Sequence, residues 1–551
     1  MDTYRLIMDD YSDSIRRMLY NICFQFEDQD TPACSVLVPA GTPLSAAAAE
    51  LGITLRTPCG GNGTCKKCKC SVNGQEILAC QSVVERNLTV NIPKTSVKSN
   101  EESIVVQTGS SLLAAEFVPL PLIAGQVPPP ATGYGVAFDI GTTTLAAELF
   151  ALSPPPRVCG VSALANPQRS FGDDLITRIQ KVIEDPAAAG ALQGAVIQSA
   201  NKMFAELAEN AGIKTTDITA VSVAGNTVMQ MLFLGLDPSP LGFAPFVPPL
   251  SVFPDCTGSV IGLNIAPHGT VQTMPLFGGF VGGDIVAGVL AVGLRWAEQT
   301  CFFIDIGTNG EMVLRHNGTL YTAATAAGPA FEGSRIEYGT IAVPGAVDKT
   351  ELQEDGTVIS RTIGNVPATG ICGSGLIDTA AELLRHHLIK PSGQFDVKAK
   401  SPFLNRWKII EGKPAFCLVP KEQSGINEDI LLTQKDVRQL QLAVGAIRAG
   451  TQLLLEQQRL DWQDIETFYV AGGFGNFIRP ENAQRIGLLP PEIPSNKFRF
   501  CGNTSLAGAR LVLLDSTYRN EAAAAVKCSQ HVELASLPEF AVRFAERMIF
   551  P

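Results

Sequence analysis

Histidine is scarce in this chain. Five in 551 residues, without a ligand-like spacing to cysteine or glutamate, make histidine chemistry a poor expectation, so the chemistry is sought elsewhere. Charged residues are also few, 17% of the total, and they balance at a formal −11. Broad nucleic-acid binding, which depends on lysine and arginine neutralising phosphates, is excluded on electrostatic grounds. Long apolar runs are absent. The longest, Ile285–Leu294, is closed by Asp284 and Arg295 and falls well short of the ~20 residues a membrane span needs. The opening Met1-Asp2-Thr3-Tyr4-Arg5 lacks the basic-then-apolar plan of a secretory signal. The expectation is a cytoplasmic protein with no nucleic-acid or membrane partner.

What is present is a large apolar content, 46% of the residues, enough for a compact chain of three or four domains. Fourteen cysteines in a chain of this size point to metal ligation or buried thiols rather than a disulfide scaffold. The most informative stretch is Phe302–Glu311, Phe-Phe-Ile-Asp-Ile-Gly-Thr-Asn-Gly-Glu. It reads as a buried strand that turns back at once. Gly307 and Gly310 permit close backbone approach, and the row of backbone N–H groups can cradle phosphate. Asp305, at the strand end, is placed to hold a divalent cation directly or through water.

The pattern occurs twice. Val136–Thr144 reads Val-Ala-Phe-Asp-Ile-Gly-Thr-Thr-Thr, so Asp139-Ile140-Gly141-Thr142 matches Asp305-Ile306-Gly307-Thr308. Downstream of each lies an apolar strand ending in Val-Ala-Gly: Val223-Ala224-Gly225 in the first half and Val470-Ala471-Gly472 in the second. Two α/β lobes facing across a nucleotide cleft would explain this order. Other signals along the lobes are weaker. Asp173 and Asp174 precede a helix near Leu175 and are read as capping residues. Gly278-Gly279, Gly282-Gly283-Asp284 and the Gly373-Ser374-Gly375 turn each lead into a helix and are candidates for shaping the cleft. A long helix is expected from Gln434 to about Gln458.

The N-terminal quarter is different. Residues 1–20 read as a surface extension with a short amphipathic helix as the other option. Two strand-like runs, Ile22–Phe26 and Cys34–Val38, then a helix through Ala46–Ala49, lead to Cys59, Cys65, Cys68, Cys70 and Cys80. The spacing Cys-x5-Cys-x2-Cys with a later cysteine is close to the plant-type rule for a [2Fe–2S] cluster. Gly60, Gly61 and Gly63 allow the loop to wrap it. A structural zinc site is the competing reading, but zinc favours two well-spaced knuckles. Cys59, Cys65, Cys68 and Cys80 are the assigned ligands, Cys70 a packed thiol, and Cys23 and Cys34 core residues. Lys66, Lys67 and Lys69 form either an ordinary solvated loop or a basic rim steering an acidic redox partner. A proline-rich stretch including Pro128-Pro129-Pro130 then reads as a semi-rigid spacer.

The duplicated motifs resemble the superfamily of acetate and sugar kinases, heat-shock chaperones and actin over residues 133–535. The cysteine segment resembles adrenodoxin-like β-grasp ferredoxins. The combination resembles ATP-dependent reductive activators of corrinoid proteins. The implied fold is multidomain α/β, a β-grasp ferredoxin-like domain followed by a duplicated, two-lobe ribonuclease H-like (actin-like ATPase) domain. The expected division is 1–20 extension, 21–97 ferredoxin-like domain, 98–132 linker, 133–298 first lobe, 299–535 second lobe and 536–551 tail.

By resemblance, Asp139 and Asp305 orient Mg2+ and its waters. Gly141-Thr142-Thr143 and Gly307-Thr308-Asn309-Gly310 hold the ATP phosphates, Gly472-Gly473 passes under the adenosine, and Glu311 positions water. The implied activity is transfer of one electron from the cluster to reduce Co(II) to Co(I) in a methyltransferase system. No Asp-x-His-x-x-Gly loop for cobalamin is present, so the corrinoid belongs to a partner protein. A low-potential ferredoxin or flavodoxin-like donor is implied, and a homodimer is compatible with the plan. Two rival readings stand: a small-molecule kinase or phosphohydrolase with a redox-sensing domain, and a non-enzymatic scaffold switched by nucleotide. The cysteine spacing makes a direct prediction. The purified protein should be brown with about two irons per chain, and stoichiometric zinc without visible absorbance would refute the cluster.

Overall fold

A computed structural model describes residues 19–26, 33–51, 53, 55–57, 61, 63, 66–93, 96–97, 133–398, 400–472 and 478–551. Most of the expected extension, the turn at 27–30, the linker at 98–132, Cys59, Cys65 and Gly473 lie outside the described residues.

The N-terminal unit is a mixed five-stranded sheet in the order β2-β1-β5-β3-β4. Its strands are β1 (Leu19–Phe26), β2 (Cys34–Pro39), β3 (Lys69–Val72), β4 (Gln75–Leu78) and β5 (Leu88–Ile92). β1 runs antiparallel to β2 and parallel to β5, which is the β-grasp arrangement the resemblance implies. Helix α1 (Leu44–Glu50) lays Leu44, Ala47 and Ala48 on the buried face. Strand alternation corrects one expectation. Ile22 and Phe24 are fully buried, so Cys23 between them points to the opposite face and is only half-buried, as is Cys34.

The second unit carries the duplication into three dimensions. β6 (Tyr134–Ile140) pairs antiparallel with β7 (Thr144–Ala151) and parallel with β9 (Ile218–Gly225). β8 (Arg157–Ala165) adds beyond β7, and β11 (Thr270–Thr273) and β10 (Cys256–Thr257) beyond β9. In the same pattern β12 (Cys301–Ile306) pairs antiparallel with β13 (Gly310–His316) and parallel with β21 (Thr467–Ala471). β14 (Thr319–Thr325) and β22 (Phe498–Gly502) extend that sheet, and β23 (Ser529–His531) closes its edge. The register repeats as well: Asp139 lies opposite Ala224 and Asp305 opposite Ala471. A Cβ on the following glycine would meet Ile140 O at 2.9 Å from Gly225, and Ile306 O at 2.4 Å from Gly472. Small residues there let the two strand ends close together.

Helices supply the rest of the core. α2 (Leu175–Glu184) starts where expected, with Asp174 accepting from Thr177 N at 2.7 Å. α3 (Ala188–Asn210) and α4 (Thr227–Phe233) cover the first sheet. In the second half, α6 (Gly373–Arg385), α7 (Gln434–Gln457) and α8 (Pro480–Arg485) enclose a large apolar core. Gly373 and Gly375 serve that packing: a Cβ would meet Phe331 O at 2.2 Å or Val347 O at 2.0 Å. Their turn is therefore accounted for by packing rather than by nucleotide. Within the stretch set apart as a tail, α10 (Pro538–Arg547) docks on α7, with Gln441 Nε2 donating to Met548 O at 2.8 Å.

α5 (Gly283–Ala291) and α9 (Thr504–Leu514) join the two halves. α9 comes late in the chain yet packs on β6 and β9 of the first sheet. α5 places Val286, Ala287 and Leu290 against Ala137 and Leu506, and Ile285 and Val289 against Phe303 and Val313. The helices cross in backbone contact, since a Cβ on Gly508 would meet Ala287 O at 2.2 Å. Gly508→Ala should therefore destabilise by about 2–3 kcal/mol, the upper range for forcing a methyl into a packed core. Gly194→Ala in α3, where an added Cβ meets nothing within 4 Å, should stabilise by ~0.5–1 kcal/mol. Thermal unfolding of the two variants measures both, and equal effects would refute the backbone crossing.

Candidate active site

The first hairpin is held from behind. Asn166 Nδ2 donates to Gly141 O at 2.8 Å, Asn166 N to Thr143 O at 2.8 Å, and Arg178 Nη2 to Thr142 O at 2.6 Å. These bonds tie up the carbonyls of the turn. The side chains of Thr142 and Thr143 remain half-exposed. Asp139 at the end of β6 accepts from Asn503 Nδ2 at 2.8 Å and Ser505 Oγ at 2.7 Å. Asn503 also caps α9, its Oδ1 accepting from Leu506 N at 2.8 Å, so the start of α9 is fastened to the first aspartate.

The second hairpin is tighter by one residue. In register, Asp139 faces Ala146 across β6–β7, whereas Asp305 faces Glu311 across β12–β13. Directly opposed residues share a face of the sheet, so Glu311 stands beside Asp305 and the first lobe has no counterpart. Thr308 Oγ1 donates to Glu332 Oε1 at 2.8 Å, and Gly328 N to Thr308 O at 2.8 Å. Gly310 passes under α7, where a Cβ would meet Ile447 at 2.9 Å.

These elements bring five carboxylates, Asp139, Asp284, Asp305, Glu311 and Glu332, into mutual electrostatic contact. Burial, then the charges of Asp284, Asp139 and Glu332, pushes Asp305 up to about 8. Burial raises Asp284 to about 7, with Asp139 adding to the effect. Asp139 rises to about 6 through burial, against the pull of Ser505 and Asn503. Glu311 is held well above its ordinary value by burial, Asp284 and Asp305. Such a cluster of hard oxygen donors suits Mg2+. Among the described residues no three side chains converge to coordinate an ion by themselves.

The expected site residues thus fall in two places. Asp139, Asp305, Glu311, both hairpins and Gly472 line the junction of the two duplicated sheets; Gly473 lies outside the described residues. Glu332, Asn503 and Ser505 were not anticipated as site residues, and Asp284 only as part of a turn shaping the cleft. Asp284 had a signal, its position in the first turn of a helix after Gly282-Gly283. Asn503 and Ser505 had none, being more than 360 residues from Asp139 in the chain.

In the N-terminal unit, Cys68 and Cys80 bring their sulfurs to 3.2 Å. Thiolates at ~2.3 Å from one tetrahedral metal lie roughly 3.7 Å apart, so this pair fits a shared metal with a small adjustment. Ala79 N donates to Cys68 O at 3.0 Å and fixes the turn. Gly61 and Gly63 have φ of 91° and 72°, and a Cβ on Gly63 would strike Gln81. Cys70 is 1% exposed; burial, then Cys80, pushes its thiol up to about 11. That suits a packed thiol. Lys69 is paired with Glu76 at 3.1 Å, which weakens the basic rim.

Comparison with known proteins is consistent with this geometry. Residues 134–297 match the RACo middle region, and residues 299–551 match the C-terminal domain of RACo, the ASKHA domain. A corrinoid activation enzyme, RamQ, of Eubacterium limosum is 32% identical over 576 aligned residues, covering 91% of this chain and 95% of that protein. A reductase of the Co(II) methylated amine-specific corrinoid protein from Methanosarcina barkeri is 26% identical, covering 70% of each. The solved structure of a reductive activator for corrinoid, iron-sulfur protein superposes with a TM-score of 0.71 at 31% identity, over 97% of this chain and 98% of that one.

The carboxylate cluster has a measurable consequence. With pKa values raised on folding, these groups contribute stability fully only below about pH 4, the unfolded carboxylate range, and lose it progressively as pH climbs to about 6 to 8. Metal-free protein should therefore lose melting temperature between about pH 6 and pH 8.5. Millimolar Mg2+ should restore it, with a gain that grows with pH because bound metal requires ionised carboxylates. Asp305→Asn should melt higher than wild type without metal at the alkaline end and gain less from Mg2+. A Mg2+ effect independent of pH would refute the cluster as its site.

Proposed function

This chain belongs to the RACo family of corrinoid activation enzymes, and from that premise we propose that it is an ATP-dependent reductase of a separate corrinoid protein. The observation that carries the reading is a combination. A β-grasp unit that draws two candidate cysteine ligands together is followed by a duplicated ATPase-type unit, and 91% of the chain aligns with a corrinoid activation enzyme. The cluster, a [2Fe–2S] centre on Cys59, Cys65, Cys68 and Cys80 in this reading, would supply one electron for Co(II) to become Co(I). Among the described residues no helix is long and apolar enough to cross a membrane. We place the protein in the cytoplasm, served by a low-potential ferredoxin or flavodoxin-like donor, and leave a homodimer as part of the proposal.

Each factor of ten against the equilibrium of a one-electron transfer corresponds to ~59 mV, and Co(II) to Co(I) is a strongly reducing step. ATP offers a way to gate it. In this reading Asp139 and Asp305 hold the water shell of Mg2+, and the two hairpins, Gly141-Thr142-Thr143 and Gly307-Thr308-Asn309-Gly310, hold the phosphates. Gly472-Gly473 passes under the adenosine, and Glu311 orients the attacking water. Asn503 and Ser505 would report the state of Asp139 to α9, whose crossing with α5 links the sheets. Lobe closure could then stabilise one arrangement of the bound partner, and hydrolysis release it.

Mixing the protein with a candidate corrinoid protein, reductant and ATP should give Co(I), read by its absorbance. Asp305→Ala should abolish the reaction with the visible spectrum of the protein intact. Glu311→Gln should slow it by about 10²–10³-fold, as for loss of one positioning group. Normal turnover by Asp305→Ala would refute the cleft assignment.

A further inference from the structure

Three residues of the second half meet around a cavity that the ATPase reading does not use. It lies against β15 (Ala346–Leu352) and β16 (Val358–Thr362), holds about 210 Å³, and is lined by Lys349, Thr350, Glu351, Ile359, Arg361 and Arg479. Lys349 and Arg361 are direct cross-strand partners, and both are exposed. Like charges opposed on an antiparallel pair repel. Among the described residues neither has a carboxylate within the 4.0 Å of a salt bridge. The half-buried Asp348 attracts both electrostatically, while burial raises its carboxyl, but it forms no salt bridge with either.

The third cation is held rigidly. Arg479 Nη2 lies 2.7 Å from Asp378 Oδ2 and donates to Thr350 O at 2.6 Å, while Nε donates to Asp378 Oδ1 at 3.1 Å. Asp378 is itself 1% exposed and accepts from Asn482 Nδ2 at 2.8 Å. A buried carboxylate thus fixes the guanidinium plane, and Nη1 makes no hydrogen bond among the described residues. Fixed guanidinium donors and unpaired cations around one cavity are what oxyanion recognition requires.

We propose that this cavity is a phosphate site, with Lys349, Arg361 and Arg479 neutralising the anion. Glu351 gives it a preference. A carboxylate repels a fully ionised oxyanion but accepts a hydrogen bond from the O–H that phosphate retains near neutral pH and sulfate lacks. Bound phosphate would also relieve the repulsion between Lys349 and Arg361.

The test is calorimetric titration with inorganic phosphate at matched ionic strength, the protein first saturated with Mg2+ and a non-hydrolysable ATP analogue so that phosphate does not report on the cleft. Wild type should bind saturably, and sulfate should bind more weakly. The Lys349→Gln/Arg361→Gln double variant should bind at least about tenfold more weakly, having lost two charge-assisted partners. In phosphate-free buffer it should melt no lower than wild type, because a repulsion has been removed. Absent binding, equal affinity for sulfate, or undiminished binding by the double variant would overturn the proposal. The comparison of the two proteins decides this even if the analogue does not bind.

Discussion

Mutual repulsion among buried carboxylates is the constraint on which the catalytic unit turns. Asp139, Asp284, Asp305, Glu311 and Glu332 reach one region from both sheets and from α5; Asp139, Asp284 and Glu332 raise the cost of ionising Asp305, and Asp284 and Asp305 that of Glu311. Burial of charge is tolerated only when it is compensated. Asp139 receives two hydrogen bonds from the start of α9, which offset part of its desolvation. Asp305 instead faces another carboxylate across the strand pair. The site as folded is thus short of positive charge, and a divalent cation is the species that would supply it.

The same constraint explains why the two halves are alike in backbone but not in chemistry. Both set an aspartate at a strand end opposite an alanine of a parallel neighbour, and both follow that alanine with glycine so that the strand ends can approach. The hairpins then differ by one residue, which puts Ala146 opposite Asp139 and Glu311 opposite Asp305. A second glutamate in the first lobe would have added another uncompensated charge. In the proposed reading the duplicated scaffold would provide two phosphate-binding turns but a single carboxylate of the water-positioning kind.

In the proposed reading, communication between the halves would run through packed helices. α5 is apolar on nearly every side because it touches the cores of both sheets, and α9 reaches it through a glycine-mediated crossing. A helix whose first turn holds Asp139 and whose middle touches α5 backbone cannot shift without disturbing both. Packed interfaces of this kind change between discrete arrangements rather than deforming gradually, which suits a unit whose nucleotide state must be felt by a partner.

Local pattern was enough to read much of this protein. The strand-turn pairs, the N-cap at Asp174, the helix from Gln434, the β-grasp order and the cysteine spacing are short-range features, set by turn chemistry and periodicity within a few residues. Resemblance carried the assignment of Asp139, Asp305 and Glu311. Tertiary structure alone decided what distant segments do to one another. It turned Cys23 out of the core by strand alternation, tied Lys69 to Glu76, gave the glycines of the Gly373-Ser374-Gly375 turn to packing, and brought Asn503 and Ser505 to Asp139. It also set Lys349 beside Arg361 and fixed Arg479 on Asp378. The physical reason is that periodicity records which face a residue presents, whereas a hydrogen bond or a charge pair depends on what the rest of the chain places against that face.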